Sequence, residues 1–206
     1  MNYLEFKDLM GDYTVFSLNN IRNLVPSFDP RRLHEWKNKG YLRNIIKGFY
    51  IFSDIELNEN TLFEISNRIY SPSCISLETA LSYYGLIPEA VFSITAVSTR
   101  KTCSFRTKIT PFSYRTVKPE LFFGFDIIRY SETKSFRIAR IEKAILDCLY
   151  INTALKTADD FASLRILADE LLTKTDKERF FEYTEKFKNK SLAKRAESFW
   201  RHVTNA

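Results

Sequence analysis

Residues 17 to 52 read SLNNIRNLVPSFDPRRLHEWKNKGYLRNIIKGFYIF, and this stretch decides the predicted fold because helix, turn, helix and hairpin signals follow one another in it. Ser17 opens the first helix, since its hydroxyl can accept a hydrogen bond from a free backbone N–H near position 20. Pro26 stops that helix. The apolar residues between them recur on one face, at Leu18, Ile21, Leu24 and Val25.

The second helix of this stretch is predicted from Asp29 to Lys39. Asp29 is the expected N-cap, Pro30 fits the first helical position, and Gly40 supplies the left-handed residue that ends the helix. Leu33 and Trp36 lie on one side and are expected to be buried. The opposite side then carries polar groups, with two more on its flanks: Arg31, His34, Glu35 and Asn38, flanked by Arg32 and Lys39.

A β-hairpin is predicted after Gly40, with strands at 41–45 and 49–52 around a turn that contains Lys47 and Gly48. Helix, helix and hairpin in this order are typical of a winged helix-turn-helix, in which helix 29–39 is the recognition helix and the hairpin is the wing. Arginine can bind guanine and asparagine can bind adenine with two hydrogen bonds, and neighbouring Arg and Lys neutralise phosphates. The sequence therefore predicts DNA binding through Arg31, Arg32, His34, Glu35, Asn38, Lys39, Arg43 and Lys47. The alternative is that the same fold serves only packing or protein contacts.

The charge distribution favours a localised basic footprint. The chain has 206 residues, of which 45% are hydrophobic, and a formal net charge of +6. Residues 20–50 contain seven Lys or Arg and two acids, residues 51–99 contain one base and six acids, and residues 100–118 contain six bases and no acid. Two basic zones thus flank an acidic one, which suits a protein that contacts a polyanion over part of its surface.

Other classes of protein are disfavoured. The three cysteines are far apart and form no CxxC pair, so neither a disulfide framework nor a zinc site is indicated, and a reducing cytoplasm is the expected compartment. We expect no signal peptide and no membrane segment. With two histidines and no Gly-rich phosphate-binding motif, no metal and no cofactor are predicted.

The whole chain is predicted to be α+β, with a winged helix-turn-helix at 1–55 followed by a mostly antiparallel sheet domain with C-terminal helices at 56–206. Residues at helical spacing near the N-terminus (Tyr3, Leu4, Phe6, Leu9 and Met10) predict a first helix, and further helices are expected at 60–70, at 76–84 with Ser76 as its cap, and at 141–151. Residues rich in β-branched and aromatic side chains predict strands at 91–98, 105–110, 112–118, 123–130 and 135–139.

Three blocks in this part of the chain carry a family resemblance: ISLETALSYYGLIPE at 75–89, PFSYRTVKPELFFGF at 111–125 and RIARIEKAILDCLY at 137–150. Together with the stretch at 17–52, and in this order, they resemble the AbiEi family of antitoxins from bacterial abortive-infection toxin–antitoxin pairs. The resemblance covers roughly residues 5 to 150. Ile141 departs from it, because relatives often place a proline there, and the last fifty residues match no block of the family.

The resemblance implies a two-part protein of bacterial phage defence. Its N-terminal winged helix would act as a transcriptional repressor of its own operon by binding inverted repeats in the promoter. Its C-terminal domain would oppose a nucleotidyltransferase-like toxin, AbiEii, without a stable complex. No catalytic activity of its own is implied.

A second basic surface is predicted from Arg100, Lys101, Arg106, Lys108, Arg115 and Lys118, because several of these charges would share one face of a strand. It could add a phosphate contact or serve the antitoxin role, and the alternative is a solvated strand face.

Two further patterns are interpreted as structural. Lys143 and Asp147 are one helical turn apart on an outer face, so we expect an ion pair there rather than a catalytic set with Glu142.

Residues 157–203 are predicted to be helical, with helices starting at Thr157, Thr175 and Ser191. Their aromatic residues, Phe180, Phe181, Phe199 and Trp200, are expected in the core, although a partner-binding groove is an alternative. Lys186, Lys188, Lys190, Lys194 and Arg195 are expected to be solvated.

Two functions from different classes follow. The first is a cytoplasmic DNA-binding autorepressor and antitoxin. The second is a winged-helix regulator whose C-terminal domain senses a small molecule, which would require a sizeable pocket with convergent polar groups. An enzyme with a DNA-targeting domain is the third and weakest, because no titratable cluster stands out.

Overall fold

The computed structural model of the chain describes residues 1–88 and 91–205. Helices and strands are mixed and form two sheets, so the predicted α+β class is confirmed. Glu89, the last residue of the block at 75–89, and Ala206 lie outside the described residues. Within these two ranges, every helix is too short or too polar to cross a membrane.

The N-terminal unit contains three helices and a small sheet. Its elements are Tyr3–Leu9 (α1), Phe16–Ser17 (β1), Leu18–Leu24 (α2), Arg31–Asn38 (α3), Leu42–Ile46 (β2) and Phe49–Phe52 (β3). The strands form an antiparallel sheet in the order β1-β3-β2. The helices and the hairpin that the stretch 17–52 predicts are therefore present, with bounds shifted by one or two residues.

Side chains at the helix ends explain these bounds. Ser17 Oγ accepts from the Asn20 N–H at 3.3 Å while Asn20 Oδ1 accepts from the Ser17 N–H at 2.9 Å, so the predicted cap of α2 is confirmed and is reciprocal. The prediction that Asp29 caps α3 is wrong by one residue, since the N-cap is Pro30. Asp29 instead accepts from the Arg31 N–H at 3.0 Å and forms the turn before the helix. Gly40, at φ +76°, ends α3 as predicted.

An aromatic core fixes which side of α3 is buried. Phe6 lies 4.6 Å from Trp36 and 5.7 Å from Phe28 between ring centroids, and Leu33 and Trp36 are each only 3% exposed. Phe52 contributes from the sheet. The three helices thus pack on one face of this sheet, and the predicted burial of Leu33 and Trp36 is confirmed.

The other face of the same sheet packs on the rest of the protein. Val15, Ile45 and Ile51 are buried in the larger hydrophobic core, which otherwise consists of residues from 63 to 203. Thr14 also donates to the buried Glu64 carboxylate at 2.6 Å across this junction. The sheet is therefore enclosed on both faces, which fixes the orientation of the N-terminal unit. A domain boundary near residue 55 stays a prediction.

The larger sheet is mixed. Its strands are Ser73–Ile75 (β4), Ile94–Ser98 (β5), Cys103–Phe105 (β6), Phe112–Thr116 (β7), Phe125–Arg129 (β8) and Ser135–Ala139 (β9), in the order β6-β7-β5-β4-β9-β8. The pairs β4–β9 and β5–β7 are parallel and the other three pairs are antiparallel. The expected antiparallel majority is thus small, and β4 was not predicted, because three buried residues give no alternating pattern.

The predicted strand at 105–110 is wrong beyond Phe105. Thr107 forms a turn there: its hydroxyl donates to the Thr110 carbonyl at 2.7 Å and accepts from the Ile109 N–H at 3.2 Å. A threonine hydroxyl that bonds the neighbouring backbone competes with strand pairing. Likewise, the strand predicted to begin at 91 begins only at Ile94.

Helices cover both faces of the larger sheet. Glu59–Ile69 (α4) lies on the face of Tyr114, whose hydroxyl donates to the Ser66 carbonyl at 2.8 Å. Leu77–Tyr83 (α5) lies on the opposite face, where the Thr79 N–H donates to Thr95 Oγ1 at 3.1 Å, and Ile141–Ile151 (α6) packs beside it. These three helices were predicted and are confirmed.

Four helices complete the chain: Ala158–Ala162 (α7), Ala168–Lys174 (α8), Lys177–Lys186 (α9) and Lys190–Thr204 (α10). The helix expected from Thr157 is two helices, because Arg165 adopts φ +52° and the Leu167 N–H donates to the Leu86 carbonyl at 2.8 Å. The caps of α9 and α10 are Asp176 and Asn189 rather than Thr175 and Ser191. Phe180, Phe199 and Trp200 are buried as expected, and Phe181 is half-buried.

The ion pair on α6 is buried, so the prediction that it lies on an outer face is wrong. Lys143 and Asp147 do pair, but their side chains are only 1% and 0% exposed, because Ser76 contacts the carboxylate and the Phe123 and Phe187 rings lie 5.3 and 5.2 Å from the ammonium group. Ser76 does not cap α5 with its side chain; its hydroxyl donates to Asp147 Oδ2 at 2.8 Å. Burial raises the pKa of Asp147, and Lys143 opposes that rise. This enclosed pair favours the structural interpretation.

Candidate nucleic-acid interface

The outward side of α3 is open to solvent. All the polar residues predicted on this helix are exposed, namely Arg31, Arg32, His34, Glu35, Asn38 and Lys39. The side chain of Arg31 is 91% exposed. Because α3 packs on one face of the small sheet and the C-terminal unit packs on the other, the described part of that unit leaves this surface uncovered.

Two of the cations on this surface are held by local acids. Arg31 Nε donates to both carboxylate oxygens of Asp29, at 3.1 and 3.0 Å, and the Arg31 guanidinium lowers the pKa of Asp29. At the C-terminal end of α3, Lys39 Nζ lies 2.6 Å from Glu35 Oε1, and this hydrogen bond lowers the pKa of Glu35. Both pairs are exposed to water, so a phosphate or a base edge could replace either carboxylate at little cost.

Arg32, His34 and Asn38 offer groups that no acid occupies. Arg32 makes no ion pair within the described residues, and Asn38 Nδ2 lies 3.3 Å from His34 Nδ1. Together with Asp29, Arg31 and Glu35 they line a shallow depression of about 480 Å³. The surface therefore presents a guanidinium, an imidazole and a carboxamide side by side.

The two contact residues predicted on the hairpin differ in their exposure. Lys47 is exposed at the tip, where Gly48 adopts φ +86° and Asn44 Nδ2 holds the turn through the Ile46 and Phe49 carbonyls at 2.7 and 2.9 Å. Arg43 lies opposite Ile51 on the sheet face that packs against the C-terminal unit, and it is half-buried with its Nε unpaired. Lys47 is thus available at the tip of the hairpin, whereas Arg43 is partly enclosed.

The second basic surface does not lie on one strand face. All six of its residues are exposed: Arg100, Lys101, Arg106, Lys108, Arg115 and Lys118. Arg100 stacks 4.3 Å over the Tyr70 ring on the α4 side of the sheet, whereas Arg115 borders a cavity of about 360 Å³ on the opposite side. Arg106 and Lys108 lie in the turn after β6. The expectation of a shared strand face is therefore wrong, because the strand ends at Phe105.

A cleft that no sequence pattern predicted lies in the C-terminal unit. It has a volume of about 1060 Å³ and lies between the connection that follows β7 and the corner between α9 and α10. Four lysines line it: Lys118, Lys186, Lys188 and Lys190. Three of these lie in the segment KFKNK at 186–190, for which the sequence predicts a solvated surface. We call this feature the basic cleft.

Arg195, also expected in solvent, is buried. Its guanidinium donates to the Leu149 carbonyl and, at 3.2 Å, to the Asn152 carbonyl, so it satisfies the C-terminal end of α6. Burial lowers the pKa of Arg195. This arginine is structural and belongs to no site.

Comparisons with known proteins add no assignment to this geometry. No model of a protein family matches the chain, and no curated protein matches it at a significant level. The exposed surface of α3, the hairpin beside it and the basic cleft are therefore the observations on which a function can be proposed.

Proposed function

We propose that this chain binds double-stranded DNA through a winged helix-turn-helix formed by α2, α3 and the β2–β3 hairpin. The observation that carries the proposal is the outward side of α3, which is polar, carries three of the predicted cations and is exposed to solvent, while Leu33 and Trp36 hold its other side in the core. A helix of this kind fits the major groove of B-form DNA.

The contacts follow from the position of each group. Arg31, Arg32 and Asn38 are the candidates for base edges, because guanidinium and carboxamide groups make paired hydrogen bonds to guanine and adenine. Lys39 and Lys47 are the candidates for phosphates on either side of the groove. His34 and Glu35 lie between them and could contact a base or water. Arg43 is partly enclosed, so we propose that it only supports the hairpin.

We further propose that the protein is a cytoplasmic autorepressor and antitoxin that opposes a nucleotidyltransferase-like toxin without a stable complex. The ordered resemblance to the AbiEi family supports this proposal.

Fluorescence anisotropy with the duplex upstream of the chain's own gene tests the DNA-binding proposal. We expect tight binding to this duplex and weak binding to a shuffled duplex of the same composition. Arg32→Ala and Asn38→Ala should each weaken specific binding by about tenfold, since one good base contact contributes about 1–3 kcal/mol. Lys194→Ala, at an exposed lysine on α10, is the matched control.

The proposal fails if Arg32→Ala and Asn38→Ala bind the duplex as tightly as the wild-type chain while the shuffled duplex competes equally. Circular dichroism of each variant ensures that the comparison is made on folded protein. A promoter–reporter fusion in cells tests autorepression: the same variants should raise expression, and Lys194→Ala should not.

A regulator that senses a small molecule is the second candidate function. The basic cleft favours it, because its volume of about 1060 Å³ lies just above the range of about 300–1,000 Å³ that is typical of small-molecule sites, so it can hold such a ligand.

A further inference from the structure

The basic cleft combines an aromatic wall with a positive rim. Four rings line it: Phe123, Tyr150, Tyr183 and Phe187. They pack on one another, with centroid distances of 5.2 Å between Phe123 and Tyr183 and 5.3 Å between Tyr150 and Phe187. Tyr183 and Phe187 are buried and hold the wall in place, while Phe123 and Tyr150 are half-buried.

Glycine at position 124 allows this wall to close. Gly124 adopts φ +69°, a conformation that other residues rarely adopt, and a Cβ atom built on it would lie 2.8 Å from Tyr183 Cε2. The backbone after β7 can therefore approach α9 closely only with glycine there. The wall and the connection that carries Lys118 together form one edge of the cleft.

The positive charge of the rim is mostly uncompensated. Lys118, Lys188 and Lys190 are exposed, and none of them makes an ion pair within the described residues. Lys186 is held by Glu182 at 2.7 Å and lies 5.1 Å from the Tyr183 ring centroid. Glu120 is the one acid among the lining residues that the structure describes. The cleft therefore attracts anions.

Helix α10 begins at the same place and adds to this field. It spans Lys190–Thr204, and Asn189 caps it by accepting from the Leu192 N–H at 3.1 Å. The N–H groups of Lys190 and Ser191, in the first turn, have no carbonyl of a preceding turn to bind. Lys190 and Ser191 both line the cleft, so the positive end of this 15-residue helix coincides with the lysines.

The combination restricts the ligand. An apolar ligand would leave the lysines unpaired, and a cation would meet net positive charge with one carboxylate. A simple anion would use the lysines and the helix end but not the aromatic wall. A molecule with several phosphates and a planar ring uses both, because bases stack on aromatic side chains and phosphates bind lysines and helix N-termini.

We propose that the basic cleft binds a nucleotide, with its phosphates at Lys188, Lys190 and the start of α10 and its base against the aromatic wall. This inference does not depend on DNA binding by α3. It supplies the ligand class for the second candidate function, because a bound nucleotide would make the protein responsive to the nucleotide pool.

Isothermal titration calorimetry on the full chain tests the proposal with four probes: a set of ribonucleoside and deoxyribonucleoside triphosphates, a nucleoside, inorganic tripolyphosphate, and a short single-stranded oligonucleotide. We expect at least one nucleoside triphosphate to bind saturably, and at least about tenfold more tightly than either the nucleoside or tripolyphosphate. The oligonucleotide distinguishes a free nucleotide from a strand end; it should bind no more tightly than the triphosphate.

Variants locate the site. Lys188→Gln with Lys190→Gln should weaken triphosphate binding by about tenfold or more, because each removes a charge-assisted contact. Tyr150→Leu, which keeps apolar volume but removes a ring, should weaken triphosphate binding and leave tripolyphosphate binding unchanged. Lys194→Gln, at an exposed lysine outside the cleft, should change neither.

A measurement on the wild-type chain avoids the possibility that a variant loses binding because it misfolds. Lysine acetylation followed by mass spectrometry should show that the nucleoside triphosphate protects Lys118, Lys188 and Lys190 but not Lys194. Three results would overturn the proposal: no saturable binding by any nucleoside triphosphate, tripolyphosphate binding as tightly as the triphosphates, or equal effects at Lys194 and in the cleft. Tighter binding of the oligonucleotide would replace the nucleotide with a nucleic-acid strand as the occupant.

Discussion

Two helices of this protein carry the same short pattern, a lysine and an acid one turn apart, in opposite surroundings. On α3 the pair Glu35–Lys39 is about half exposed on each side chain, at 52% and 54%. On α6 the pair Lys143–Asp147 is 0–1% exposed and is joined by the Ser76 hydroxyl. The difference arises because the described residues leave the outward side of α3 exposed to solvent, whereas Ser76, Phe123 and Phe187 enclose the pair on α6.

This difference separates a surface that can exchange partners from one that cannot. The acids on α3 can release their cations to a phosphate at little cost, since water screens both pairs. The acid on α6 cannot do so, because its separation would leave a charge in a medium of low dielectric. The open helix is therefore suited to binding, and the enclosed helix to holding the C-terminal unit together.

Breaking the enclosed pair should produce the largest effect. Asp147→Ala leaves Lys143 buried without a partner and should lower the free energy of unfolding by about 3–5 kcal/mol. Glu35→Ala, which breaks the open pair, should change it far less. Urea unfolding followed by circular dichroism measures both.

A double replacement controls for the loss of charge. Lys143→Met with Asp147→Leu removes both charges and keeps apolar volume, so it should recover most of the stability that Asp147→Ala loses. Equal losses for Asp147→Ala and Glu35→Ala would show that the two pairs do not differ as described.

The two sides of α3 offer the next contrast. Leu33→Ala creates a cavity in the N-terminal core and should destabilise the protein by about 2–5 kcal/mol. Asn38→Ala, five residues further along the same helix and exposed, should change the free energy of unfolding by less than about 0.5 kcal/mol while weakening DNA binding. A stability loss of similar size in both variants would mean that the outward side of α3 is packed, not open.

Tyr130 lies at the junction of the two units and is partly buried, so its exposure is between that of the open side of α3 and that of the enclosed pair on α6. Its hydroxyl donates to the buried Glu64 at 2.5 Å, and burial together with this hydrogen bond raises the pKa of Tyr130 to about 12. Since the folded-state pKa exceeds the ordinary value of about 10, its stabilising contribution is complete below pH about 10 and falls as the pH rises toward 12.

The wild-type chain should therefore exceed Tyr130→Phe in free energy of unfolding at pH 9, and the excess should shrink steadily toward pH 12. Comparison of the two chains cancels the titration of the other tyrosines and lysines. An excess that stays constant over this interval would show that the Tyr130 hydroxyl does not donate to Glu64.

The sequence predicted the N-terminal unit well because its signals are local. Ser17, Gly40 and Gly48 each end or start an element through contacts with near neighbours, and Leu33 and Trp36 mark the buried side of α3 by spacing alone. The outward residues of the candidate site follow directly from that register. Arg43 did not, because its enclosure depends on how the small sheet packs on the C-terminal unit.

The features that the sequence did not predict depend on distant residues. Strand β4 pairs with β9 through Ile75 and Ile138, and no local pattern in a three-residue strand predicts such a pairing. The burial of Lys143 and Asp147 depends on distant residues: Ser76, 71 positions before Asp147, and Phe187, which follows α9. The basic cleft joins Lys118 to the KFKNK segment at 186–190, which only the folded chain brings together.

The central claim, that the open side of α3 is the DNA interface, is tested most directly by the salt dependence of binding. Two double variants that each remove two positive charges should be compared with the wild-type chain on the promoter duplex: Lys39→Ala with Lys47→Ala, the two lysines proposed to contact phosphates, and Arg106→Ala with Lys108→Ala in the turn after β6. We predict that the slope of log affinity against log salt falls by about two for the Lys39–Lys47 pair and by less than about 0.5 for the turn pair. An unchanged slope for the Lys39–Lys47 pair, or an equal fall for both pairs, would contradict the account.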